Sequence, residues 1–304
     1  MDKFWALIDT YNETTYDTNT LSVLKPNEER LTLRLDEKAD IVVGEIYLFE
    51  VEPIVFKERD QFLVHQYTHI EDASISLKEQ FETLRHYYKT APVDIEAVKE
   101  SVETYLARID NEVIKTITFD LYHQMERDFY LYPAATKFHH AYIGGIAHHT
   151  LTMLQLMDGV LKTYDYLNED LLIAGILLHD IYKTVELSDY KNPEYTAEGK
   201  LLGHITMGTE AVLKTAMKHD LYDTEERLLL EHMVLSHHYY GNYGSPKKPN
   251  IPEALALHFI DNIDSKFAVL GEILEKTDEG TFTQGIPILE RERYYKAKVQ
   301  KPKK

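Results

Sequence analysis

Histidine and aspartate carry the chemistry for which this sequence can be read. Histidines crowd the stretch between His139 and His258, at His139, His140, His148, His149, His179, His204, His219, His232, His237, His238 and His258. The pair His179-Asp180 is the most informative. It ends the run Leu171-Leu172-Ile173-Ala174-Gly175-Ile176-Leu177-Leu178, which is apolar nearly all round and therefore reads as a buried helix. An imidazole and a carboxylate at the end of such a helix are costly unless something compensates their polarity. A divalent cation does so directly. A mutual hydrogen bond does so too, and the dipeptide alone does not choose between them.

Helical spacing turns further groups inward. Over Ile146 to Tyr164, His149 continues the stripe of Met153, Leu156 and Val160, whereas His148 falls with Thr152, Gln155 and Gly159 on the polar side. Over Thr224 to His238, Leu230, Val234 and His237 share one stripe, with His238 about 100° further round. Over Glu253 to Leu274, Ala256, Ile260, Ile263, Phe267 and Leu270 form the expected core face. Asp261 and Asp264 sit beside that face, one turn apart. Each could be a ligand, a cap or a surface group, and Asp261 is the better ligand candidate. His204 opens another amphipathic segment after Gly203. A lone inward histidine is more often a satisfied core residue than a ligand. Inward histidines and aspartates from five helical segments together point to a metal site. Cysteine is absent, so disulfides and thiolate sites are excluded and the ligands must be nitrogen and oxygen. Such a set suits manganese, iron or zinc.

The elements that must position these groups divide into two textures. The first 70 or so residues read as β-rich. Leu31-Thr32-Leu33-Arg34-Leu35 alternates, Glu45 to Val51 and Ile54 to Phe56 flank Pro53, and Phe62 to Tyr67 returns after a polar turn at Lys57 to Gln61. Short strands of this kind imply a small barrel or curled sheet. After Asp72 the pattern becomes helical. Asp94 is an N-cap candidate for one long amphipathic helix through Ile95, Val98, Val102, Leu106, Ile109 and Val113. Helix then persists from Tyr130 to about Leu274, broken at Gly144-Gly145, Asn192-Pro193 and Gly241 to Pro252. Tyr294 to Lys304 reads as a basic, disordered tail with a potential role in gripping RNA. The expected division is a β-rich domain over 1–72, a helical connector over 73–129, the metal-binding helical domain over 130–275 and a C-terminal extension over 276–304. The fold class is mainly α, with a β-rich start.

The net charge of −18 argues against broad wrapping of nucleic acid, which needs a basic surface. It leaves room for a narrow channel in which a few lysines and bound cations meet a single strand. No apolar run approaches the roughly 18 residues of a membrane span, and the N-terminus lacks a signal-peptide pattern. The expected location is the cytoplasm, with a homo-oligomer left open.

At these residues the chain resembles the HD superfamily of metal-dependent phosphohydrolases, whose ligands run H…HD…H…HH…D. More narrowly it is similar to the YhaM family of bacterial 3′→5′ exoribonucleases. The matching stretches are Tyr132 to His140, Gly144 to Thr150, Leu177 to Lys183, Glu198 to Ile205, Leu235 to His238, Gly244 to Pro246 and Leu257 to Asp264. The resemblance implies metal ligation by His149, His179, Asp180, His204, His237, His238 and Asp261. It also implies an oligonucleotide-binding (OB-like) barrel ahead of the helical core. Val42 to Tyr67 fits the last strands of that barrel, while the region before Leu31 reads as shortened or diverged. Two positions depart from the pattern: Tyr182 and Tyr239 stand where the family usually has glycine.

The implied chemistry is phosphodiester hydrolysis from the 3′ end of single-stranded RNA or DNA, with two divalent ions bridged by Asp180 and manganese favoured. Lys183 would add positive charge to the transition state. Lys137 and His140 are candidates for phosphate contact, and Tyr142, Tyr182, Tyr239, Tyr240 and Tyr243 for stacking on bases. Two other readings are a nucleotidase or cyclic-dinucleotide phosphodiesterase, and a non-catalytic nucleic-acid- or nucleotide-binding module with a structural metal.

Overall fold

The computed structural model describes residues 1–13, 19–56, 58–137 and 140–299, without the side chain of Tyr243. It divides into two compact units, Met1–Lys89 and Thr90–Lys304. The expected connector over 73–129 is therefore split, its first helix falling in the N-terminal unit.

The N-terminal unit is a closed barrel of β1 (Asp2–Glu13), β2 (Asn19–Leu24), β3 (Arg30–Leu35), β4 (Ile46–Phe56) and β5 (Arg59–His69), followed by α1 (Leu77–Arg85). The strand order is β1-β2-β3-β5-β4, with only β3 and β5 parallel. Period two sets the interior: Ala6 and Ile8, Leu21 and Val23, Leu33 and Leu35, and Phe49 and Val51 fill the barrel. Pro53 is tolerated inside β4 because the β1 pairing stops at Val51, leaving that side of the strand free of ladder bonds. The region before Leu31 is not shortened. It supplies β1 and β2 in full. Lys57, within the expected turn, lies outside the described residues.

The second unit is helical. Its elements are α2 (Ile95–Leu106), α3 (Glu112–Leu131), α4 (Gly145–Thr163), α5 (Glu169–Leu178), α6 (Lys183–Glu186), α7 (Ala197–Leu201), α8 (Gly203–Lys218), α9 (Glu225–Ser236) and α10 (Pro252–Glu275). The apolar run is α5, buried from Leu171 to Leu178 and packed by α3, α4, α9 and α10. Asn168 caps it by accepting from the Leu171 N–H. The single helix expected after Asp94 is two. The side chain of Asn111 accepts from the N–H groups of Val113 and Ile114, so a new cap restarts the chain after Leu106. The expected core face of α10 is also different. Ala254, Leu257, His258, Ile260 and Asp264 are buried, whereas Ile263 and Phe267 face outward.

The C-terminal stretch is not a free tail from Tyr294 onward. Tyr295 bridges Phe282, and the Lys296 N–H donates to the Thr281 carbonyl. Residues 300–304 lie outside the described residues. Among the described residues no helix is long and apolar enough to cross a membrane.

Candidate metal centre

Helix ends deliver the cluster. His179 and His237 are the residues at which α5 and α9 stop, so their rings emerge from buried helices into one space. His204 enters from the first turn of α8. Its placement needs Gly203, which opens α8 at φ +73°, a left-handed value that glycine adopts freely. His149 comes from α4 and Asp261 from α10. Gly145 is required at the start of α4, because a Cβ there would collide with the His140 carbonyl oxygen.

Asp180 lies at the middle. Its Oδ1 is 3.3 Å from Nε2 of His204 and 3.8 Å from Nε2 of His237. Its Oδ2 is 3.3 Å from Nε2 of His179 and 3.9 Å from Nε2 of His149. Two groups of donor atoms close enough to hold a cation share it: Asp180 with His204, His237 and His238, and Asp180 with His149 and His179. Asp261 stands at the edge of the second group, 3.5 Å from Nε2 of His149.

Hydrogen bonds behind the rings determine which nitrogen faces the space. The Nδ1–H of His179 donates to the Ile176 carbonyl and that of His237 to the Val234 carbonyl, each at 2.7 Å. Carbonyls only accept, so the proton is on Nδ1 and the lone pair on Nε2. Nδ1 of His204 faces both oxygens of Glu186 at 3.1 Å, and Nδ1 of His149 donates to Oδ2 of Asp264 at 2.6 Å. The inward atoms Nε2 of His179, His204 and His237 and Oδ1 of Asp180 are buried without a hydrogen-bond partner among the described residues. Buried polar atoms are rarely left so. A cation coordinated by nitrogen and oxygen satisfies them, and the donor set fits it.

The electrostatics of the metal-free cluster divide: His237 is held neutral and Asp180 ionised, whereas His149 is held protonated and must release a proton to ligate. Burial and the neighbouring His238 and His179 rings push His237 well below the ordinary histidine range, keeping it neutral and able to ligate. For Asp180, burial works against the charge, but Lys183, His179 and His204 outweigh it and hold the carboxyl well below its usual value. His149 is also opposed by burial, and Asp261 and Asp264 together raise it to about 9. Lys183 donates to Oδ2 of Asp180 at 2.6 Å, three residues on across the turn into α6.

A second cluster stands behind His149. Nε2–H of His140 donates to Oδ2 of Asp264 at 2.7 Å. The Tyr142 hydroxyl donates to Nδ1 of His140 at 2.6 Å and accepts from Nδ1–H of His148 at 2.8 Å. Each proton in this directional chain has one consistent position. His140, a candidate for phosphate contact, and Tyr142, a candidate for stacking, are both buried and bonded within this chain. His148 is half-buried within the same chain, not solvated. Burial lowers it to about 4, and His140 adds to that shift.

The remaining candidates are dispersed. Lys137 is exposed, with no hydrogen bond or ion pair to the cluster among the described residues. His139 lies outside the described residues. Tyr182 packs on α8 beside Gly208. Tyr239, three residues beyond the end of α9, stands at φ +65°, a left-handed conformation that favours glycine. A tyrosine in it costs about 1–3 kcal/mol. Its ring packs 5.1 Å from that of His258, with Nζ of Lys248 5.0 Å from its centroid.

Comparison with known proteins follows this geometry. A family model described as HD domain matches residues 146–266, the span from α4 into α10. The chain is 42% identical over 225 residues to the 3′-5′ exoribonuclease YhaM of Geobacillus sp. (strain WCH70), covering 73% of this chain and 69% of that protein. The chain belongs to the YhaM family. A second member, 3′-5′ exoribonuclease YhaM of Bacillus subtilis (strain 168), is 39% identical over 215 residues, 71% of this chain and 68% of its own. No solved structure matches at a significant level. Within this YhaM-family chain, sequence reading misses Glu186, which orients His204 through both its Nδ1 and its backbone N–H. The available signal is spacing: Asp180, Lys183 and Glu186 recur every three residues.

Proposed function

We propose that this chain is a metal-dependent 3′→5′ exoribonuclease that hydrolyses single-stranded RNA, the activity for which its relatives are named. The observation that carries the reading is the convergence of inward-facing, buried Nε2 atoms around the Asp180 carboxylate. His149, His179 and Asp261 would hold one divalent cation and His204, His237 and His238 another, with Asp180 shared. Manganese is favoured, and iron or zinc are compatible with the same donors. Bound there, divalent cations polarise a phosphodiester and lower the pKa of a water so that it attacks near neutral pH.

The protein residues do the rest. Glu186, Asp264 and the Ile176 and Val234 carbonyls hold the rings with Nε2 inward. Lys183 keeps a positive charge beside Asp180, where charge develops on a scissile phosphate. Tyr239, backed by His258 and accompanied by Lys248, offers a ring and a cation to the terminal nucleotide. In the barrel, the Arg34 guanidinium lies 3.7 Å from the Phe56 ring centroid, a pairing suited to a stacked base.

The deciding assay uses 5′-labelled and 3′-labelled single-stranded RNA with manganese or with chelator. The 5′-labelled strand should shorten stepwise, and the 3′ label should leave at once as a mononucleotide. Turnover of small nucleotides alone, or turnover unaffected by chelator, would remove the proposal.

A further inference from the structure

One face of α10 builds the metal centre, and much of the opposite face is open, although at its C-terminal end Phe267 and Leu270 line a cleft with Ile288, Leu289 and Tyr294. Leu255, Phe259, Ile263 and Phe267 recur every four residues along it and are 40%, 57%, 43% and 67% exposed. Gly271 continues the series, with open space where its Cβ would be. Lys266 is the one charged side chain that α10 itself places on this face, and Glu290 and Glu292 border its C-terminal end. Contiguous apolar surface of this kind is uncommon on a monomer and marks an interface.

We propose that this face joins two copies of the chain, antiparallel, with a twofold axis at Ile263. The stripe is self-complementary about that residue. Ile263 meets its own counterpart, each Phe259 meets Phe267 of the second copy, and each Leu255 fills the space over Gly271 of the second copy. A twofold interface demands this reciprocity, in which one patch serves both sides. The four exposed side chains offer about 400 Å² per copy, from roughly 200 Å² for a phenylalanine and somewhat less for leucine or isoleucine. A stable dimer buries about 800 Å² per partner, much of it at an apolar centre. Lys266 lies at the edge, where its ammonium reaches water. Other occupants fit less well. Nucleic acid finds one cation here, and an anionic bilayer meets a chain of net charge −18.

The absence of cysteine makes the test clean. Ile263→Cys should yield a disulfide-linked dimer under mild oxidation, because only a residue on the axis meets itself at bonding distance. Phe259→Cys alone should stay unlinked, while a mixture of Phe259→Cys and Phe267→Cys proteins should link. Light scattering should give twice the chain mass for the native protein and the single-chain mass for Phe259→Glu. A single-chain native mass at micromolar concentration, or equal linking by Phe259→Cys and Ile263→Cys, overturns the proposal. These readouts are independent of RNA turnover, so they stand apart from the outcome of the nuclease assay.

Discussion

Two neighbouring groups of buried histidines differ in one respect. In the chain His148, Tyr142, His140 and Asp264, the hydrogen bonds connect protein to protein from end to end. Around Asp180, the outer nitrogens of His179, His204 and His237 are bonded and their inner nitrogens are not. A buried imidazole with both sides bonded by protein is structure. One bonded on its outer side alone is poised for a ligand. His149 joins the groups, with Nδ1 on Asp264 and Nε2 turned to Asp180 and Asp261.

The sharpest way to break this contrast is Asp180→Ala. Removing the shared carboxylate should lower RNA turnover by at least about 10³-fold and leave the helical content intact by circular dichroism. Retained turnover would sink the central role of Asp180. Next comes Asp264→Asn, which leaves every proposed ligand in place but disturbs the His149 ring. Loss of such an outer contact typically costs 10–100-fold in metal affinity. Calorimetric titration with manganese checks this, and unchanged affinity would mean that the two groups are independent.

Acid should weaken the metal-free protein through His148. Its pKa falls from the ordinary 6.5 to about 4 on folding. Between those values the unfolded chain binds a proton that the folded chain does not, so stability declines as pH drops from about 6.5 towards 4. Melting temperatures in chelator should show this decline, and His148→Gln should flatten it. An identical slope in the variant would count against the assignment. The smallest effect belongs to Tyr142→Phe. It severs the chain far from the cations and should cost about 1 kcal/mol of stability, with manganese affinity changed less than about twofold. A larger loss of affinity would show that the supporting group reaches further into the site than its geometry indicates.

Legibility in the sequence follows how local each signal is. His149 is distinguishable from His148 because the stripe through Met153 lies in one helix. The apolar run at α5 announces its own burial. β1 is harder to see because Trp5 and Leu7 are apolar on the outer side as well, which blurs the period of two; β2 is only six residues long. The face of α10 misleads for a physical reason. Both sides of this helix are apolar, and periodicity measures apolarity without saying what covers it. Asp264 and Glu186 are invisible as supporting residues because their partners, His149 and His204, are 115 and 18 residues away in the chain.

From the sequence alone come the donor types, the exclusion of sulfur ligation, a β-rich start before helices and the family resemblance, all set by residue identity and near-neighbour spacing. Only the tertiary structure decides which nitrogen of each histidine faces inward, that the Asp180 carboxylate stands between two groups of donor atoms, that His140 is bonded to Asp264 and Tyr142, and which side of α10 is exposed. Those properties depend on atoms brought together from separate helices, and no local pattern records which helices will meet.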